Sequence, residues 1–275
     1  MAIEFKHKPG IVAYLTAGDP DLAATLDIAL AAIDNGADVI ELGVPFSDPL
    51  ADGPVIQRAS ERAVGRGVRL TDVLEVAKEI RAARPSAGLV LFSYLNPVVK
   101  RGMKRLCEEA AEAGIDGVLL TDMIVEEAGE YLEAMRANQL APIFLAAPTS
   151  PDRRLKAIGE ASLATGKAGF VYAISRVGIT GTQTQVAGDA AELVARLRQF
   201  TRLPIAVGFG ISNAEHVAAV GKFADAAIIG SALVSLIERS NAAEAPAAVG
   251  EFIRGLRGDR DAGLQETSSL RGVGV

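Results

Sequence analysis

Apolar and polar positions follow two rhythms along this chain. Short, nearly unbroken apolar runs recur eight times: IVAYLT from Ile11, DVIELG from Asp38, GLVLFS from Gly88, GVLLT from Gly117, APIFLA from Ala141, GFVYAIS from Gly169, LPIAVGFG from Leu203 and AAIIGS from Ala226. Their length and β-branched content predict strands buried on both faces. Between them apolar residues return every three or four positions, as in DLAATLDIALAAIDNG from Asp21, where Leu22, Leu26, Ala29, Leu30 and Ile33 share a predicted helix face. Gly36, Gly114 and Gly166 stand where helices should end before the next strand. Strict alternation of strand and helix requires a parallel sheet, and eight such strands close into an α/β (β/α)8 barrel, with an open doubly wound sheet as the alternative.

Length agrees with this reading, since 275 residues suit one barrel, for which about 250 is typical. The barrel is expected over residues 1–257, with a shortened N-terminal segment before its first strand. The stretch from Gly258 to Val275 lacks period and mixes Gly, Ser and charge, so it is expected to be a disordered tail. The hydrophobic fraction of 49% supplies a large core, and 23% charged residues keep the exterior solvated. A net charge of −6, with Lys and Arg scattered, argues against a reader of nucleic-acid phosphates. Cys107 is the only cysteine, which excludes an intrachain disulfide and leaves a cysteine metal site without ligands, so no metal is expected. MAIEFKHKPG at the start holds no apolar run, and no stretch approaches about 20 apolar residues. Neither secretion nor membrane spanning is indicated, and a cytoplasmic location is expected.

Reacting groups in such a barrel come from the C-terminal ends of strands and the loops that follow. Glu41 lies inside the second apolar run and shares strand parity with Val39 and Gly43. A carboxyl held there, partly out of water, has its pKa raised and can both give and take a proton; an ion-paired structural Glu is the alternative. Asp52 follows in a loop stiffened by Pro49 and Pro54, where it either faces substrate or caps the helix starting near Val55. Gly181, Gly208, Gly210 and Gly230 with Ser231 cluster at the exits of strands six, seven and eight, the pattern of a phosphate cradle built from backbone N–H groups. Tyr172 points its hydroxyl either into the mouth or into ordinary core. His7, His216 and Cys107 lie away from the exits, so none is a catalytic candidate.

The motifs ELGVPFSDPLADGP from Glu41, YLTAGDP from Tyr14, SRVGITG from Ser175 and GFGI followed by GS resemble the tryptophan synthase alpha subunit family, over about Ile11 to Leu256. The resemblance implies a lyase of tryptophan biosynthesis that splits indole-3-glycerol phosphate into indole and glyceraldehyde 3-phosphate without a cofactor of its own. It implies Glu41 as general acid–base, Asp52 as acceptor of the indole N–H, and Tyr172 as a pocket residue. Gly181, Gly210, Gly230 and Ser231 take the family's phosphate-binding positions, and Phe209 lies beside them. A beta subunit carrying pyridoxal phosphate is implied as partner in an alpha-beta-beta-alpha complex, with Asp48, Pro49, Asn96 and Pro97 in the contacting loops. Two departures stand out: family members carry a helix before the first strand, and Ile124 stands where they place a proline. Val177 to Val186 is expected to act as a lid. Rival readings are a stand-alone lyase releasing free indole, a phosphosugar isomerase or epimerase, and an idle activating subunit.

Overall fold

The computed structural model of the chain describes residues 3–174, 183–208 and 210–258, with 183–187 as helical backbone only. The strands are β1 (Gly10–Thr16), β2 (Val39–Gly43), β3 (Gly88–Ser93), β4 (Gly117–Leu120), β5 (Ala141–Ile143), β6 (Leu145–Ala146), β7 (Val171–Ile174), β8 (Ile205–Gly208) and β9 (Ala226–Ile229). Around them lie α1 (Leu22–Asp34), α2 (Pro54–Gly65), α3 (Leu70–Ala83), α4 (Leu95–Arg101), α5 (Met103–Glu112), α6 (Gly129–Ala137), α7 (Asp152–Ala161), α8 (Gln183–Leu197), α9 (Ala214–Val220), α10 (Ser231–Arg239) and α11 (Ala245–Leu256).

The sheet runs in the order β5-β4-β3-β2-β1-β9-β8-β7-β6, and every recorded pairing is parallel. Eight expected runs become nine strands because APIFLA is broken at Phe144: β5 pairs with β4, and β6 with β7. Pro142 in the first piece has no N–H for the ladder. Since one residue joins the two end strands, the chain itself carries the ring across this gap. The open sheet is thereby excluded.

Alternation along each strand sorts the core into two layers. Val12, Val39, Val90, Leu119, Ile143, Phe170, Ala206, Ala226 and Ile228 fill the barrel. Their neighbours, such as Ile11, Ala13, Ile40, Leu42, Leu89 and Leu91, face the helices. The expected face of α1 needs correction: Ala24, Thr25, Ile28, Ala29 and Ala32 are the buried set, with Leu22, Leu26 and Ile33 only partly buried. Small residues let α1 approach the strands, while the larger ones turn into the grooves beside α3 and α11, its two helical neighbours.

No helix precedes β1 among the described residues. Instead Ile3 enters the inner core at the barrel bottom, with Phe5 packed beside it and tilted against Phe170 at 5.8 Å. Buried Asp38 then ties the segment down. It accepts from the Lys6 and Ile11 amides at 3.0 and 2.8 Å, bonds His7 Nδ1 at 2.8 Å and pairs with Arg257 Nη2 at 2.6 Å. His7 is therefore a structural residue at the end opposite the strand exits. Cys107 is buried beside the Met135 sulfur at 3.8 Å, and burial pushes its thiol up to about 11, far from a nucleophile's range.

Candidate active site

Glu41 alternates with outward-facing Ile40 and Leu42 and follows inward-facing Val39, so its side chain enters the barrel toward the strand exits. It is completely buried, and neither carboxyl oxygen has a hydrogen-bond partner among the described residues. Desolvation pushes its pKa up to about 8, because a charge in this apolar cage has lost water and gained nothing in return. No described residue pairs with it, which counts against the ion-paired structural alternative. At neutral pH this carboxyl carries its proton.

Asp52 meets a different environment. The helix after its loop is capped by Gly53, with no side-chain cap bond, so Asp52 is not the cap. Its carboxylate accepts instead from the Tyr94 hydroxyl at 3.0 Å, and the same hydroxyl receives the Ala51 amide at 2.9 Å. Tyr94 lies just beyond β3, and its ring tilts against Phe46 at 5.2 Å, so it latches the β2–α2 loop onto the next strand's exit. Burial raises the Asp52 pKa to about 6, and the Tyr94 bond restrains the rise. The two carboxyls therefore fall on opposite sides of neutrality, Glu41 protonated and Asp52 ionised.

Tyr172 points into the same space. It leans over Gly208, where a Cβ would come within 2.9 Å of the hydroxyl oxygen, and burial, then Glu41, Asp52 and Tyr14, hold its phenol well above the ordinary range. Beyond Gly208, Gly210 adopts φ +44, a left-handed conformation that glycine takes without strain. Gly230 caps α10, and Ser231 is its exposed first residue. Adjacent strands β8 and β9 deliver these two turns side by side, Gly208 pairing with Ile228. Helix geometry leaves the first N–H groups of α10 facing outward, which suits an anion. Gly181, Phe209 and residues 177–182 of the expected lid lie outside the described residues, as do 259–275 of the expected tail; residues 183–186 begin α8.

Arg62 binds the two halves of the site together. From α2 it forks onto buried Asp19, after β1, at 2.9 and 2.6 Å, and it reaches Glu238 of α10 at 2.8 Å. Ile56 of α2 also covers Gly230, 3.8 Å from where a Cβ would stand. The helix behind Asp52 is thus fixed against the helix that opens at Gly230.

Tyr14, Phe92 and Tyr94 belong to this pocket and were not singled out from the sequence. Each is an aromatic residue at or next to a strand exit. The rule applied to Glu41, which inspects inward parity near the exit, would have found Tyr14 as well. Among the described residues no group of three or more His, Cys, Asp and Glu side chains is placed to hold a metal, and no helix is long and apolar enough to cross a membrane.

The profile of the family described as tryptophan synthase alpha chain matches residues 2–255. The tryptophan synthase alpha chain of Solibacter usitatus is 50% identical over 235 residues, 86% of each chain. That of Cupriavidus pinatubonensis is 43% identical over 261 residues, 95% of this chain and 97% of the relative. Among solved structures, the alpha2-beta2 tryptophan synthase complex of Pyrococcus furiosus contains a chain that matches with a TM-score of 0.82 at 38% identity, covering 91% of this chain and 98% of that one. The tryptophan synthase subunit alpha of Legionella pneumophila matches with a TM-score of 0.82 at 32% identity, covering 91% and 92%. These likenesses favour the subunit over the stand-alone lyase, the isomerase and the idle subunit, and the chain belongs to the tryptophan synthase alpha chain family, a lyase of tryptophan biosynthesis.

Proposed function

We propose that Glu41 and Asp52 carry out the retro-aldol cleavage of indole-3-glycerol phosphate. The observation that carries this reading is the pair of carboxyls driven apart by environment, one to about 8 and the other to about 6, since divergent pKa values separate acid from charge stabiliser. Protonated Glu41 gives its proton to indole C3. The ring becomes cationic, and ionised Asp52 stabilises the charge through the indole N–H. Glu41, now a carboxylate, takes the proton from the glyceryl hydroxyl next to C3. The C–C bond breaks as the aldehyde forms, its electron pair returns to the ring, and Glu41 ends protonated as it began.

Gly210, Gly230 and Ser231 bind the phosphate, with Gly181 and Phe209 assigned to the same task from outside the described residues. Tyr172 lines the pocket. Anchoring the phosphate at β8 and β9 fixes how far the three-carbon tail places C3 toward Glu41. Every proton moved belongs to this chain or the substrate, so the step draws on no cofactor here, and pyridoxal phosphate is left to the beta partner. Incubating the purified chain with indole-3-glycerol phosphate should release indole and glyceraldehyde 3-phosphate in equal amounts. Asp52→Asn should lower that rate about 10²-fold or more, in the range found when one stabilising group facing a developing charge is removed. A rate within threefold of the parent would remove Asp52 from the mechanism.

The beta subunit is proposed to dock over the strand exits. Leu50 is 92% exposed, Val99 61% and Ile124 45%, and these follow β2, β3 and β4 respectively, with exposed Asp48 and Asn96 nearby and Pro49 and Pro97 in the same loops. Apolar side chains left in water at one rim suit a partner surface. Mixing with a beta chain of the family should give a complex on size exclusion and a faster indole-forming step; Leu50→Asp should weaken the complex at least tenfold. Unchanged affinity in Leu50→Asp would move the interface elsewhere.

A further inference from the structure

Once Glu41 has given up its proton, it is a carboxylate in a cage that offers its two oxygens no donor among the described residues. A candidate lies on the neighbouring strand. Tyr14 of β1 is in register with Glu41 and only 5% exposed. Its hydroxyl sits over Gly43, where an added Cβ would come within 2.3 Å of the oxygen. Gly43 is two residues beyond Glu41, on the same face of the same strand, a step of about 7 Å. The ring is held edge-on to Phe92 at 5.0 Å and packed with Ala59 and Val234, so the hydroxyl has little freedom to leave.

Its hydrogen-bonding state suits a donor. Thr16 donates to the Tyr14 oxygen at 3.4 Å, which leaves the phenolic proton with no acceptor among the described residues. Desolvation, then Asp52, with Glu41 and Tyr94 adding less, holds the phenol far above its ordinary range, so it gives a hydrogen bond without losing its proton. Tyr172 is the other phenol facing Glu41, but its hydroxyl is spread over Gly208 on β8. Asp52 faces the same space as an acceptor, with Tyr94 behind it.

We infer that Tyr14 is a positioning residue for the acid–base step: its hydroxyl, fixed over Gly43, donates to the Glu41 carboxylate between the two proton transfers. No proton moves to or from Tyr14. The bond stabilises the charged form of Glu41 and aims it at the glyceryl hydroxyl. This inference rests on Glu41 being the acid–base group.

Tyr14→Phe keeps the ring and its packing, so the urea midpoint should not change. The expected result is a fall of about tenfold in kcat for indole release with KM within threefold, together with an upward displacement, by half a pH unit or more, of the titration assigned to Glu41 in the kcat–pH profile. A role in packing alone would move neither. Glu41→Gln assayed beside it separates the two readings. If Glu41→Gln is inactive while Tyr14→Phe matches the parent in kcat and pH profile, the Tyr14 inference is overturned and Glu41 stands. If Glu41→Gln turns over normally, both are overturned.

Discussion

Glu41→Gln should lower the rate of indole release by about 10²- to 10⁴-fold, the usual range for a positioned proton-transfer group, while the protein stays folded. The amide has nearly the shape of the protonated carboxyl that occupies this position at neutral pH, so the cage around it is not asked to change. What it lacks is a proton it can give and take back. Substrate binding should survive, because the proposed phosphate anchors, Gly210, Gly230 and Ser231, lie on the turns after β8 and β9 rather than on β2. The check is steady-state indole formation by the variant, with KM and the unfolding midpoint measured on the same preparation. A folded variant within tenfold of the parent would contradict the assignment.

The second large effect is on stability. In the unfolded chain the Glu41 carboxyl titrates near 4.5, and in the fold near 8. Between those values the folded state holds a proton that the unfolded state has released, so stability falls as pH rises through this window. Below about 4.5 both states are protonated and nothing is lost; above about 8 the full penalty of a buried carboxylate applies. Each pH unit of displacement corresponds to about 1.4 kcal/mol, which makes the penalty on the order of a few kcal/mol. Asp52, raised from 3.8 to about 6 and only partly buried, adds a smaller slope of the same sign. Urea unfolding at pH 5, 7 and 9 should therefore show the parent losing a few kcal/mol more than Glu41→Gln across that range. Parallel losses in the two proteins would mean that Glu41 reaches water in the fold.

Much of the architecture was legible because strands covered on both faces have no polar side to display, and so they appear as unbroken apolar runs. Glu41 was legible for the same reason, as a charge where the pattern allows none. The break at Phe144 was not, since a run containing Pro142 looks continuous by composition. The face of α1 was misjudged because period alone favours the largest apolar residues. In a ring of helices those residues fill the grooves toward α3 and α11, and alanines meet the strands. Asp52 could be read as a cap or as a site residue because what decides between them, the Tyr94 hydroxyl, lies 42 positions away along the chain. Tyr14 was passed over because a tyrosine inside an apolar run resembles ordinary core, and only strand register sets it beside Glu41. The closure of the barrel bottom by Ile3 and Phe5, where relatives are expected to use a helix, also depends on tertiary contacts that no local pattern announces.

The most direct test of the central claim is the protonation state of residue 41 itself. Infrared difference spectra between the parent and Glu41→Gln, collected from pH 5 to 10, isolate the carboxyl stretch of this one side chain. A protonated carboxyl band should persist through pH 7 and give way to carboxylate with a midpoint near 8. A carboxylate signal already complete at pH 6 would contradict it, since an ionised Glu41 has no proton to deliver to indole C3.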